Sequence, residues 1–280
     1  MAYCVINGKL EDANSASIHI SDLALQRGYG IFDYFKILND QPIFLDDHLD
    51  RFYQSASQMR LDVGCSREEL KKLIFSLLAK NDLADSGVKV LLTGGYSIDG
   101  FQPGKANLII TQSALPSYKD ANKTGIRIIT YKHQRQMAEI KTIDYLMAIW
   151  LQPVLKEQIA QDVLYFDNDL VTECPRSNIF IVTVNDRILT PARNVLKGVI
   201  RKNLLKFADQ FNISEADITL NDLYNAKEIF VTSTTKNILP VVTVDDRIIS
   251  NGIPGPVTTR LSLVLDNIIS RLAGAPKVLI

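Results

Sequence analysis

The sequence predicts a mixed α/β protein built as two domains. Three observations carry this. Short extended runs near the start close on Asn-Gly and Asn-Asp turns, helical apolar spacing alternates with strand-like runs along both halves, and a polar aperiodic stretch, "SALPSYKDANKTG", separates the halves. That stretch sets the expected boundaries: a small N-terminal α/β domain over 1–113, an inter-domain linker over 114–124 and a large C-terminal α/β domain over 125–280. A cleft between two such domains is the default place for a small-molecule site.

In the first half, "YCVINGKLED" reads as a hairpin turning on Asn-Gly, and "GIFDYFKILNDQPIFL" as a second one turning near Asn39 and Asp40. Leu49, Phe52, Tyr53, Ala56 and Met59 then recur at helical spacing. Ser66 and Glu69 form a capping box for a further helix, with an apolar face of Leu70, Leu73, Ile74, Leu77 and Leu78. "VKVLLTGG" and "ANLIITQ" close the half as strands. The second half gives the strands "IRIITY", "VLYFD", "LVTEC", "NIFIVT", "EIFVTST" and "LPVVTV". A helical stretch follows Lys141 and is kinked or ended by Pro153, another helix starts near Gly198, and "GPVTTRLSLVLDNIISRLAG" forms a terminal helix.

Composition excludes several classes of function. Lys+Arg and Asp+Glu both number 31, so the formal net charge is zero. Nucleic acid and anionic membrane partners normally demand a basic excess, and neither is expected. The three cysteines and three histidines are scattered, without CxxC or HExxH spacing, which argues against a disulfide framework or a metal centre. No apolar run approaches membrane-spanning length. The opening "MAYCVINGKL" carries no signal-peptide pattern, so a cytoplasmic location is expected.

The chemistry-bearing candidates are individually ambiguous. Lys141, in "AEIKTIDYLMAIW", stands where a strand-like segment gives way to a helical pattern, a place where lysine is ordinarily a solvated surface group. Gly198 precedes a helix whose first amides, those of Val199 and Ile200, attract an anion, although glycine there is commonly a simple turn. Arg51 offers a bidentate guanidinium, and "VTSTTKN" puts hydroxyls at a strand end. Glu173 ends an apolar strand in "LVTECPRSNIF"; such a carboxylate is either exposed or paired with something positive. Neither a P-loop nor a complete GxGxxG is present. Taken together, an amine, an anion cradle and a carboxylate able to keep a heterocyclic nitrogen protonated suit pyridoxal 5′-phosphate.

The order of motifs resembles the fold-type IV, or class IV, pyridoxal-phosphate enzymes. That family includes D-amino acid aminotransferases, branched-chain aminotransferases and aminodeoxychorismate lyases. "SDLALQRGYGIFDYFKI", "DDHLDRFYQSA", "IKTIDYL", "LVTECPRSNIF", "LKGVIR" and "EIFVTSTTKNILPV" follow one another in family order over nearly the whole chain. The resemblance implies that Lys141 forms the internal Schiff base and then shuttles the proton. It implies that Glu173 keeps the pyridine nitrogen protonated and that Arg51, the Val199 and Ile200 amides and the Thr234 hydroxyl hold the phosphate. Leu196 would pack on the ring, Tyr145 would reach the phenolic oxygen, and Phe32, Tyr34 and Thr235 would line the substrate pocket. Pairing into homodimers is implied as well.

Departures from the family pattern bear on the substrate. Pro175 and Arg176 replace small or hydroxyl residues, Asp33 replaces the commoner Glu, and Asp144 stands where Asn is frequent. Well-studied D-amino acid aminotransferases hold the substrate carboxylate with an Arg-x-His pair, where this chain has Asp99 and Phe101 in "YSIDGFQPG". Arg27, Arg176 and Lys236 are the cations left to bind it, though each also reads as a surface charge. The expected activity is ping-pong transfer of an amino group from a D-amino acid such as D-glutamate or D-alanine to a 2-oxo acid. The alternatives are an L-branched-chain aminotransferase, an aminodeoxychorismate lyase and a cofactor-binding protein without turnover.

Overall fold

The computed structural model describes residues 2–116 and 119–274. The chain divides into two compact units that are not contiguous in sequence. The first comprises Met1–Pro116, Ile140–Asp144 and the chain from Ile269; the second comprises Ser117–Glu139 and Tyr145–Ile268.

The first unit opens with β1 (Tyr3–Ile6) and β2 (Lys9–Asp12), joined through Asn7 and Gly8 at φ 50° and 81°. Two successive positive φ values define the mirror-image turn whose twist matches a hairpin, which is why Asn-Gly is found there. A five-residue helix, α1 (Leu23–Arg27), follows, capped by the Asp22 carboxylate and ended by Gly28 at φ 66°. Then come β3 (Gly30–Leu38) and β4 (Gln41–Pro42), turning on Asn39 and Asp40, and the helices α2 (Leu45–Gln58) and α3 (Arg67–Asn81). Ser66 and Glu69 make the predicted capping box on α3. Strands β5 (Ser86–Thr93) and β6 (Leu108–Ser113) complete an antiparallel sheet in the order β2-β1-β6-β5-β3-β4. Ile31, Phe35, Ile37, Val88, Val90 and Leu92 are buried with Leu49, Phe52, Leu70, Ile74 and Leu77 of the two helices. Each such side chain contributes about 1.5–3 kcal/mol on burial.

Strand β4 covers only Ile37 and Leu38 of the outer edge of β3. The other end of that edge is taken by the segment around Lys141: the Phe32 amide donates to the Lys141 carbonyl at 3.0 Å and the Ile143 amide to the Gly30 carbonyl at 3.1 Å. These bonds place Lys141 with the first unit despite its position in the later half of the sequence.

The second unit is built from α4 (Lys119–Thr124), β7 (Ile126–Lys132), α5 (Leu146–Trp150), α6 (Gln152–Glu157), β8 (Asp162–Asp167), β9 (Leu170–Val171), β10 (Glu173–Cys174) and β11 (Ser177–Val182). It continues with β12 (Ile188–Pro191), α7 (Val199–Leu205), α8 (Ala208–Phe211), β13 (Ile213–Ala216), α9 (Leu220–Tyr224), β14 (Glu228–Ser233), β15 (Asn237–Val244), β16 (Arg247–Ile248) and α10 (Pro256–Leu272), whose last turn, from Ile269, belongs to the first unit. Among the described residues, its sheet runs β13-β12-β11-β14-β15-β7-β8-β9, with β10 on β11 and β16 on β15.

Three details differ from the sequence reading. The expected linker contains the helix α4, while Ser117 and Tyr118 of that stretch lie outside the described residues. "LVTEC" is broken into two short strands at Thr172, whose amide and hydroxyl both donate to the Tyr165 carbonyl. The break after Lys141 falls at Leu151, ahead of Pro153, which sits in the first turn of α6 where its missing N–H costs nothing.

Candidate active site

Lys141 is half-buried, and its Nζ lies 4.5 Å from the centre of the Phe32 ring. An ammonium over an aromatic face is attracted by the ring quadrupole. Strand alternation sends Asp33 to the opposite face from Phe32, into the core under α2. There Arg51 donates Nε–H to Asp33 Oδ2 and Nη2–H to Oδ1, both at 2.8 Å, and His48 Nδ1 lies 2.7 Å from Oδ1. Burial alone would raise the Asp33 carboxyl, but the Arg51 guanidinium and His48 overcome it and hold the group well below the usual carboxylate range. Burial also pushes the His48 imidazole down, against the pull of Asp33. An ionised Asp33 only accepts, so His48 carries its proton on Nδ1, and the buried Nε2 has no hydrogen-bond partner among the described residues.

The sequence reading assigned no role to Asp33 or His48. The available signal was the i,i+3 pair His48 and Arg51 on a helix whose apolar face is otherwise continuous. Tyr34 shares the Phe32 face, and its hydroxyl occupies space that a Cβ on Gly87 would fill.

In the second unit, Glu173 is buried and its carboxylate is held from three sides. Arg135 Nη1 donates to Oε1 at 2.6 Å, the Leu196 amide to Oε2 at 2.9 Å, and Asn178 Nδ2 to Oε2 at 3.3 Å. Asn178 also donates to the Leu196 carbonyl at 2.8 Å, tying the start of β11 to the loop before α7. Arg135 and Asn178 were not singled out from the sequence, because "KHQRQ" is aperiodic and Asn178 opens a strand. Gly198 caps α7 in an extended conformation with no side-chain cap, which leaves the first-turn amides of Val199 and Ile200 without a capping acceptor. Thr234 and Thr235 are half-buried in the turn between β14 and β15. Within the second unit, a buried carboxylate with a cationic backer, uncapped helix amides and the hydroxyls of Thr234 and Thr235 are donors and acceptors of the kind that a pyridine ring bearing a phosphate requires, while the Lys141 amine belongs to the first unit.

The family model for amino-transferase class IV matches residues 30–244. The chain belongs to the class IV aminotransferases. It is therefore a pyridoxal-phosphate-dependent aminotransferase. A D-alanine aminotransferase of Bacillus licheniformis is 29% identical over 94% of this chain and 95% of its own length. A putative branched-chain-amino-acid aminotransferase of Methanocaldococcus jannaschii is 31% identical over 91% and 92%. In fold, the chain is similar to the branched-chain amino acid aminotransferase of Escherichia coli, with TM-score 0.88 at 23% identity over 95% of this chain and 94% of that one.

The remaining expected residues of the aminotransferase fall as follows. Tyr145 is half-buried just ahead of α5, and Leu196 is half-buried beside Glu173. Arg27 is exposed and donates to the carbonyls of Gly100 and Gln26, and Arg176 is exposed on the turn between β10 and β11. Asp99, which stands where others have the Arg of the Arg-x-His pair, accepts from Phe101 N, Gln102 N and Ser97 Oγ, so it builds the turn of its own loop. Lys236 departs from expectation. It is 5% exposed, with Nζ 2.6 Å from Asp162 Oδ2 and 3.0 Å from Ser177 Oγ, so its ammonium is spent inside the unit instead of facing a substrate. No helix among the described residues is long and apolar enough to cross a membrane.

Proposed function

We propose that this class IV aminotransferase moves the amino group of a D-amino acid, such as D-glutamate or D-alanine, to a 2-oxo acid in a ping-pong cycle. Lys141 carries the reading: its amine is fixed through its backbone to the β3 edge and held at the Phe32 ring. In this reading Lys141 takes the proton from the substrate Cα and delivers it to C4′ of the cofactor, and the second half of the cycle runs the same transfer in reverse. Pyridoxal phosphate supplies the electron sink for the charge left on Cα. Glu173, paired with Arg135, holds the ring nitrogen protonated, and Leu196 lies against the ring. The Val199 and Ile200 amides, Thr234 and Arg51 hold the phosphate, and Tyr145 holds the phenolic oxygen. Phe32, Tyr34 and Thr235 line the substrate pocket.

Support for the D-configuration comes from the curated relatives, which include D-alanine aminotransferases of Bacillus, Listeria and Staphylococcus. With Lys236 committed to Asp162, the proposed binders of the substrate carboxylate narrow to Arg27 and Arg176. The M. jannaschii relative favours a second reading, an L-branched-chain aminotransferase. A second copy of the chain is the proposed partner.

The test is the absorbance of the bound cofactor during separate additions of D-glutamate, D-alanine, L-glutamate and L-leucine, with no 2-oxo acid present. A change with the D-amino acids alone, reversed by 2-oxoglutarate or pyruvate, is expected. A change with only the L-amino acids would move the enzyme to the branched-chain reading.

A further inference from the structure

A lysine is costly to bury, and an ion pair inside a protein often adds no more stability than apolar side chains of the same volume. Lys236 is nevertheless buried, in a turn where a side chain pointing to solvent would be the easy solution. Its ammonium ties two other chain segments to its own turn. Asp162 opens β8 and is itself fixed, its Oδ1 accepting from the Val163 amide at 3.0 Å while Oδ2 takes Lys236. Ser177 opens β11, next to Asn178, which binds Glu173 and Leu196. The Lys236 amide donates to Ser233 Oγ at 3.2 Å, closing the turn that carries Thr234 and Thr235.

We infer that Lys236 is a positioning residue, which acts through Asp162 and Ser177 to set the separation between the Thr234–Thr235 turn and the hairpin that carries Glu173. The inference rests on the proposed reading that Thr234 meets the phosphate and Glu173 the ring nitrogen. The rigid ring and its short phosphate arm leave those two ends of the cofactor only a narrow range of separations. A turn that drifts relative to the hairpin satisfies one end and not the other. The charged pair suits this task better than an apolar contact, because hydrogen bonds fix direction as well as distance. Ser177 and Asn178 are consecutive, so a displacement of the turn passes through one residue to the Glu173 carboxylate.

The experiment measures the dissociation constants of pyridoxal 5′-phosphate and of pyridoxal for the full-length chain freed of cofactor, together with its melting temperature. The variants are Lys236→Met, Lys236→Met/Asp162→Asn and Thr234→Val. The double variant leaves no unpaired charge, so its melting temperature should match the parent. Its affinity for pyridoxal 5′-phosphate should nevertheless fall about tenfold or more, as misplacement of a binding group predicts. Pyridoxal, which has no phosphate to be misplaced, should lose much less. Parental affinity for pyridoxal 5′-phosphate in the double variant would overturn the inference, and so would an equal loss for both compounds. Thr234→Val separates the two layers of the argument. If it weakens pyridoxal 5′-phosphate while the double variant does not, only the positioning role fails. If it changes nothing, the phosphate placement fails and takes the positioning role with it.

Discussion

Arg51 and Asp33 form a two-point ion pair beneath the strand edge that seats Lys141, with both N–H···O distances at 2.8 Å. The Arg51 side chain is 11% exposed and the Asp33 side chain 2%, so each charge depends on the other. In the protein freed of cofactor, Asp33→Asn removes one charge and leaves a guanidinium largely buried without a counter-ion. The expected loss is about 3–5 kcal/mol of unfolding free energy, measured by denaturant titration. A loss below about 1 kcal/mol, as for an exposed pair, would show that Arg51 finds compensation elsewhere.

The same cluster dictates an acid response. His48 is pushed down by burial, with the Arg51 and Lys141 charges adding to the effect and Asp33 opposing it. A group buried neutral contributes stability that is complete above its unfolded pKa of about 6.5 and is lost as the pH falls below that value. Asp33 is also held low, so its contribution is complete above about pH 3.9 and disappears as the pH falls through the folded value. Stability should therefore begin to decline near pH 6.5, at no more than about 1.4 kcal/mol per pH unit from His48, and fall faster below about pH 4. His48→Gln should flatten the first part of that curve. Denaturant midpoints at a series of pH values measure that slope, and a slope unchanged in His48→Gln would remove His48 from the account.

Lys141→Ala should abolish transamination while leaving the fold intact. The side chain is half-buried, and the bonds that seat the segment are made by backbone atoms. Turnover assays beside circular dichroism check this. Retained turnover would remove the central assignment.

These residues also show where the sequence was legible. The Asn-Gly and Asn-Asp turns demanded positive φ, and the Ser66–Glu69 box announced α3, because both signals are local and chemical. Helix α1 escaped because five residues are too few to display a period, and β10 because Thr172 redirects a strand through one hydrogen-bonded side chain. Lys141, Glu173 and Arg51 stood out only through their order along the chain. Their supports, Asp33, His48, Arg135 and Asn178, are polar residues that gain meaning only from partners distant in sequence. The burial of Lys236 was invisible for the same reason, since its partner Asp162 lies 74 residues away.

Glu173→Gln tests the carboxylate separately from its scaffold. Glutamine keeps an oxygen for the Leu196 amide and similar volume, but it cannot hold a ring nitrogen protonated. The Arg135 guanidinium loses its carboxylate as Arg51 does in Asp33→Asn, so unfolding free energy should fall by about 3–5 kcal/mol, and turnover of the folded enzyme should fall by about 100-fold or more. Steady-state kinetics with saturating pyridoxal phosphate make the comparison, and near-parental turnover would show that the ring nitrogen has another partner.

Gly198 owes its identity to Asn178. A Cβ at position 198 would fall far inside contact distance of Asn178 Oδ1, so Gly198→Ala must displace the amide that binds both Glu173 and Leu196. Its backbone is extended at φ −61° and accepts alanine without strain, which isolates the side-chain collision as the cause. Overpacking of this kind costs about 1–3 kcal/mol. Asn178→Ala should also destabilise, because it removes the bonds to Glu173 and Leu196. In the double variant the collision is gone, so the two losses should not add, and the shortfall should exceed about 0.5 kcal/mol. Denaturant unfolding of the four proteins measures that coupling, and strict additivity would mean that contact with Asn178 is not what excludes a side chain at position 198.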